Sequence, residues 1–143
     1  MKMNENLKIE NQLCFPLYAC SKEIVRKYKS VLDKFNLTYT QYIVMMVMWE
    51  EKEINVKSLG ERLYLDSGTL TPVLKKLESK SFIKRTRSDL DERNLKLLLT
   101  PKGIELMDKV QNVPNEIGNC INLSKEESLQ LYKLLYKILN NKW

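Results

Sequence analysis

Cysteines stand at positions 14, 20 and 120 of this 143-residue chain, and histidine is absent. Without histidine there is no Ser-His-Asp or Cys-His catalysis in cis, and the commonest metal ligand is missing. The cysteines form no CxxC pair and no metal-ligand spacing, so neither a metal nor a cofactor is expected. What remains to them is thiol chemistry. In a cytosol each is reduced at rest and is either packing or a redox switch, since sulfenic acid can go on to a disulfide. Cys14 falls near the start of a helical pattern, where negative charge is favoured. Cys20 is six residues on, about 9 Å along the axis and roughly 240° around it. That exceeds disulfide reach from Cys14 on the same helix, so packing is its expected role. Cys120 sits in an Asn119-Cys-Ile linker before the last helical pattern.

A second kind of chemistry resides in residues 67–99. Ser67, Gly68, Thr69 and Thr71 open a helix with small and hydroxyl-bearing side chains, which permit close approach to DNA bases and phosphates. Capping the helix is the other use for Ser67. A basic β-hairpin follows, whose arginines can reach phosphates or an adjacent minor groove. From Lys75 to Lys102 there are nine Lys/Arg against four Asp/Glu, so this stretch holds most of the chain's net charge of +6. A sequence pI of about 9.2 suits a polyanionic partner.

The elements that must position these residues can be read from periodicity and caps. A helix is predicted over 13–35, with Pro16 in its first turn. Thr38-Tyr-Thr-Gln41 is a capping-box signature before an apolar helix over 42–50. Asn55 caps a short helix over 56–63, and Asp66 or Ser67 caps a fourth that runs to about 81, with Pro72 expected near its first turn. Two strands, 83–87 and 95–99, flank a turn over 88–94. Thr100-Pro101 starts a fifth helix, and Ser124-Lys-Glu-Glu127 is a second capping box before the last one. Leu59, Leu63, Leu70, Leu74, Leu77, Ile83 and the run Met45–Met48 read as core. Residues 1–10 read as a frayed polar start. The predicted class is mainly α with a small β-hairpin: a winged helix-turn-helix over 38–99, with flanking dimerisation helices over 13–35 and 101–140, in one domain over 1–143. The outer helices are too apolar to stand alone, and a two-fold dimer matches a pseudo-palindromic duplex operator. No signal peptide and no membrane span is visible, so a cytoplasmic protein is expected.

Three strings go further than periodicity. They are Asn11-Gln-Leu-Cys-Phe15 with Tyr18, then Lys57-Ser-Leu-Gly-Glu61, then Tyr64-Leu-Asp-Ser-Gly-Thr-Leu-Thr-Pro72. With Asp89-Leu-Asp-Glu-Arg93 and Asn94 at the wing, they make the chain resemble MarR-family transcriptional regulators, in the organic-hydroperoxide-sensing OhrR-like branch. Pro16 is a departure, since relatives often carry an apolar residue other than proline there. The resemblance implies a dimeric repressor, not an enzyme, that leaves its DNA operator when an organic hydroperoxide oxidises the N-terminal cysteine. That sensor maps to Cys14. Tyrosines that hydrogen-bond the thiol in the family map to Tyr28 and Tyr39, with Tyr18 also near. A resolving cysteine of the two-cysteine branch, supplied by the partner subunit, maps to the region of Cys120, for which a bland linker role is the alternative. Arg93 is the candidate minor-groove reader with Asp91 bracing it, and Arg85 and Arg87 are candidate phosphate ligands. A solvated charge face is the alternative for these arginines. Two rival functions are a regulator of the same family that binds a phenolic or anionic ligand, its cysteines incidental, and a thiol peroxidase, against which the basic wing argues.

Overall fold

The computed structural model describes residues 4–88 and 91–141, without the side chains of Ser88 and of residues 91–94. The chain divides into two compact units, Met1–Val113 and Pro114–Trp143. Among the described residues no helix is long and apolar enough to cross a membrane.

The first unit begins with two single 3-10 turns, Glu5–Leu7 and Ile9–Asn11, where a frayed start was expected. Side-chain amides pin them: Gln12 Nε2 donates to the carbonyls of Asn6 and Lys8, and Asn11 Nδ2 to that of Glu5. Helix α1 (Cys14–Leu32) has Pro16 as its third residue, where a missing N–H costs nothing. A 3-10 turn, Asp33–Phe35, then ends at Asn36, whose left-handed backbone (φ 54°) reverses the chain. Helix α2 (Tyr39–Glu51) opens on the expected capping box at Thr38. It buries Tyr42, Val44, Met45, Val47 and Met48, which lie around most of its circumference, as a helix running through a core must.

Helix α3 (Val56–Leu63) and helix α4 (Ser67–Ser79) form the helix-turn-helix. Asn55 caps α3 by accepting from the Ser58 N–H at 2.8 Å, and Asp66 caps α4 by accepting from Thr69 N–H at 2.8 Å. Between them Tyr64 adopts φ 54°. Gly60 permits this tight connection, because a Cβ there would stand 2.7 Å from the Leu65 carbonyl oxygen. Leu70, Leu74 and Leu77 put one face of α4 into the core with Leu59, Ile83 and Leu97, whereas Leu63 is only half-buried. Pro72 is the sixth residue of α4, well past the first turn where it was expected, because the Asp66 cap starts the helix at Ser67.

The hairpin consists of β2 (Ile83–Ser88) and β3 (Asp91–Leu99). Strand β3 begins four residues earlier than expected. Its polar start reads as a turn, but pairing with β2 draws it into the ladder through Ser88↔Asp91. A third strand, β1 (Glu53–Asn55), was not anticipated. It pairs antiparallel with β3, Glu53 opposite Leu98, giving the order β1-β3-β2. Three residues are too few for alternation to show. Ion pairs of Arg62 with Glu50 and Glu51, and of Lys96 with Glu53, tie this corner together. Thr100 caps α5 (Pro101–Val110), and the Trp49 indole donates to the Gly103 carbonyl at 2.8 Å. Helix α5 ends at Val110, and a short α6 (Val113–Gly118) that was not anticipated follows.

In the second unit α7 (Lys125–Leu139) starts on the expected Ser124 capping box. None of its residues is buried, and Leu129, Leu131, Leu134 and Leu139 stay exposed. In the first unit Leu7, Leu13 and Phe15 are exposed as well. An isolated protomer therefore leaves apolar surface uncovered at both chain ends.

Candidate nucleic-acid interface and thiol site

Ser67, Gly68, Thr69 and Thr71 all lie exposed on the first turns of α4. Two of their hydroxyls are already engaged: Thr69 Oγ1 donates to Asp66 Oδ2 at 3.3 Å, and Thr71 Oγ1 to the Ser67 carbonyl at 2.7 Å. Both keep acceptor lone pairs, and Ser67 is a first-turn residue, not the cap. Hydrogen bonds, chiefly from the Thr69 backbone, hold the Asp66 carboxyl below its ordinary range, so the cap stays charged.

The two described wing arginines differ. Arg87 is exposed on β2. Arg85 departs from a free phosphate ligand: its Nε donates to Glu78 Oε2 at 2.7 Å, its Nη2 lies 2.6 Å from the same oxygen, and its backbone N–H donates to Glu78 Oε1 at 2.9 Å. This fork braces the wing against α4. Periodicity could not show it, because the partners belong to different elements. Those hydrogen bonds, the Arg85 guanidinium first, lower the Glu78 pKa from its ordinary 4.5. A depressed carboxylate supports the fold above its unfolded pKa and loses that support as pH falls through the folded value. Protection of the Arg85 amide against hydrogen exchange, taken relative to the intrinsic rate at each pH, is therefore expected to fall on acidification below about pH 4.5. Glu78→Gln is expected to produce the same loosening at neutral pH, about fivefold, the discounted value of one part-exposed charged bond. Unchanged Arg85 exchange in that variant would remove the brace. The side chains of Asp91 and Arg93 lie outside the described residues.

All three cysteines are free and exposed. Cys14 is the first residue of α1, which has no side-chain cap of its own. Cys20 lies on the same helix. Cys120 follows α6, its Sγ 3.4 Å from the Glu116 carbonyl oxygen. Tyr18 is one turn from Cys14 and carries the Lys22 ammonium over its ring at 5.1 Å. Tyr28 and Tyr39 are together, ring centroids 4.6 Å apart, and Tyr42 joins them 5.9 Å from Tyr28. Burial raises the pKa of all three phenols, with Tyr39 adding to the effect at Tyr28, and Tyr28 and Tyr39 at Tyr42. They therefore keep their protons near neutrality and are able to donate. Tyr42 was read only as part of a buried helix. Its tyrosine neighbours come from the packing of α1 on α2.

The structure does not bring the tyrosine pair to the thiol within one chain. Cys14 and Tyr28 lie on the same helix, fourteen residues apart. At 1.5 Å per residue that is about 21 Å.

A family profile described as transcriptional regulator SarA/Rot matches residues 26–110. The organic hydroperoxide resistance transcriptional regulator of Bacillus subtilis is 46% identical over 135 residues, 94% of this chain and 92% of that protein. The chain belongs to the MarR family of transcriptional regulators. Its likeness to the hydroperoxide-resistance protein places it in the OhrR-like branch. The regulator SarZ of Staphylococcus saprophyticus is 46% identical over 132 residues, 92% of this chain and 90% of that protein. Among solved structures, reduced AbfR bound to DNA superposes with a TM-score of 0.78 at 36% identity, covering 94% of both chains. AbfR with a disulfide formed gives 0.65 at 37% identity, covering 92% of this chain and 95% of that one. In this MarR-family chain the wing, the capped α4 and the cysteine at the head of α1 all sit on the first compact unit.

Proposed function

We propose that this chain is a homodimeric repressor that binds a pseudo-palindromic operator and releases it when an organic hydroperoxide oxidises Cys14. The exposed thiol at the uncapped head of α1 carries the reading, in a chain 46% identical to a hydroperoxide-resistance regulator. In this reading α4 is the recognition helix. Ser67, Gly68, Thr69 and Thr71 lead it into the major groove, Arg87 meets phosphate, and Arg93, braced by Asp91, reads the minor groove. Tyr28, too far along α1 from its own Cys14, and Tyr39 of α2 packed against it donate to the thiolate of a second copy, and Tyr18 stands one turn from its own. Exposed apolar residues at both chain ends supply the surface on which two copies associate. A cytoplasmic setting belongs to this reading, because the sensor must be reduced at rest.

The chemistry balances without a cofactor. The Cys14 thiolate attacks the hydroperoxide O–O bond, takes up one oxygen as sulfenic acid, and the alcohol leaves after protonation. The sulfenic acid then condenses with a second thiol, forming a disulfide and water. The partner subunit's Cys120 is the proposed second thiol, in preference to a small cellular thiol. Oxidised protein is then expected to run as a covalent dimer on non-reducing gels, and Cys120→Ser to abolish that band. A monomeric band that has gained the mass of an added thiol would move the assignment to the small thiol.

The function itself is tested by titrating reduced protein on an operator duplex with cumene hydroperoxide. Release that reductant reverses is expected. Binding should also weaken steeply with salt, because neutralising phosphates frees counterions. A second reading, a regulator answering to a small ligand, is favoured by a cleft of about 780 Å³ among Val56, Lys57, Tyr64, Leu70 and Leu95. Release by a phenolic acid but not by hydroperoxide would select it.

A further inference from the structure

Among the described residues Gln41 is the buried polar side chain of the core, 2% exposed. Its backbone N–H donates to Thr38 Oγ1 at 3.2 Å, and its Oε1 accepts from the Thr38 N–H at 3.3 Å. These bonds form the first turn of α2, and Tyr39 sits inside that turn. The same Oε1 accepts a further bond, at 3.0 Å, from Lys80 Nζ, thirty-nine residues away. Lys80 is the C-cap of α4, and its ammonium also donates to the Asn36 carbonyl at the end of the α1–α2 connection. One ammonium thus ties the turn that carries Tyr39 to the C-terminus of α4. From α4 the Glu78–Arg85 fork continues to the wing.

The link is stiff for a physical reason. Lys80 has lost part of its water, and burial, then the like charge of Lys76, lowers its pKa. Its two acceptors replace the lost hydration. Moving the turn away from α4 would break two hydrogen bonds from one ammonium at once, so movement of the turn is felt at the C-terminus of α4. A cleft of about 400 Å³ lined by Asn36, Thr38, Gln41, Lys76 and Lys80 leaves room for such movement.

We propose that Lys80 is a positioning residue that couples the Tyr28–Tyr39 pair to α4, so that displacing Tyr39 on thiol oxidation re-aims the recognition helix. This rests on the functional reading above. The two readings separate in experiment, because the functional one is tested on the unmodified dimer and this one on variants of it.

The probe is a duplex selected from a random pool on the reduced full-length protein, with cumene hydroperoxide as oxidant. Three quantities are read: the rate of Cys14 oxidation by intact mass, the drop in duplex affinity, and the fluorescence change of Trp49, which edges onto Tyr42 at 6.3 Å. Trp143→Phe makes the last signal unambiguous. Lys80→Met is expected to keep the oxidation rate and the Trp49 signal while the affinity drop shrinks about tenfold. Lys80→Arg, which keeps the charge and the donors, is expected to restore the drop. A full drop in Lys80→Met overturns the proposal, and so does loss of the Trp49 signal together with the drop, which would mark a merely structural residue. Should Lys80→Met fail to fold, Gln41→Glu decides: it preserves the capping box and strengthens the pair, so a drop at least as large as in the unmodified protein supports the link and a collapsed drop in folded protein overturns it. An unmodified dimer that keeps its duplex after complete Cys14 oxidation brings down the functional reading and this one with it.

Discussion

Cys14→Ser is expected to bind operator as tightly as the unmodified protein and to ignore organic hydroperoxide altogether. Serine preserves the shape of the first turn of α1 but cannot form a sulfenic acid, so the first covalent step is lost. The ratio of reduced to oxidised affinity, on the order of 5–150-fold for a typical coupled pair of sites, should collapse to about one. Anisotropy of a labelled operator duplex under hydroperoxide titration measures this. The residue is exposed within its own chain and serine is close to it in size, so the substitution has little packing cost within the protomer to confuse the result. Release as complete as in the unmodified protein would transfer the sensor role to Cys20 or Cys120. Both are exposed thiols, and the same titration on their serine variants would find it.

Gly103→Ala is expected to be the most damaging single methyl in the fold. A Cβ at Gly103 would lie 2.3 Å from the Phe82 carbonyl oxygen and 2.7 Å from Leu99 Cδ1. The carbonyl is backbone at the entry to β2 and also accepts from Thr100, so it has nowhere to retreat. The Gly103 carbonyl receives the Trp49 indole, so any shift of α5 strains that bond too. A loss of about 3 kcal/mol follows, at the upper end of overpacking costs. For a chain of this size that lowers the melting temperature by roughly 10 °C. Gly118→Ala is the control: nothing stands within 4 Å of its added Cβ, so stability should hold or rise slightly. Equal melting temperatures for the two variants would refute the clash.

Sequence alone was sufficient for the capped helix starts, those of α2, α3, α4, α5 and α7 but not α6, because a cap is a bond between residues three apart. Thr38, Asn55, Asp66, Thr100 and Ser124 each accept from a backbone N–H in the turn they open. The leucines at 70, 74 and 77 announced the buried face of α4 for the same reason, since helical spacing alone puts them on one side. Cys14 at the head of α1 was legible from periodicity and from the strings shared with the family. Local signals failed where pairing across the fold competed with them. The polar start of β3 reads as a turn until β2 lies beside it, and β1 has no pattern until β3 offers a ladder.

Partnership between distant residues was decided only by the tertiary structure. Nothing near Arg85 in the chain says that it grips Glu78 while Arg87 stays free to the solvent on the same strand. Nothing near Lys80 says that its ammonium will be the third bond on the Gln41–Thr38 turn. The distance between Cys14 and its family-assigned tyrosines needed the length of α1, a rigid helix that keeps residues fourteen apart from ever meeting. Residue types and short spacings, which are local physics, therefore determined the caps, the buried stripes and the place of Cys14 at the head of α1. Which side chains meet depends on where each turn sends the next element, and that was settled when α1, α2, α4 and the wing packed on one another.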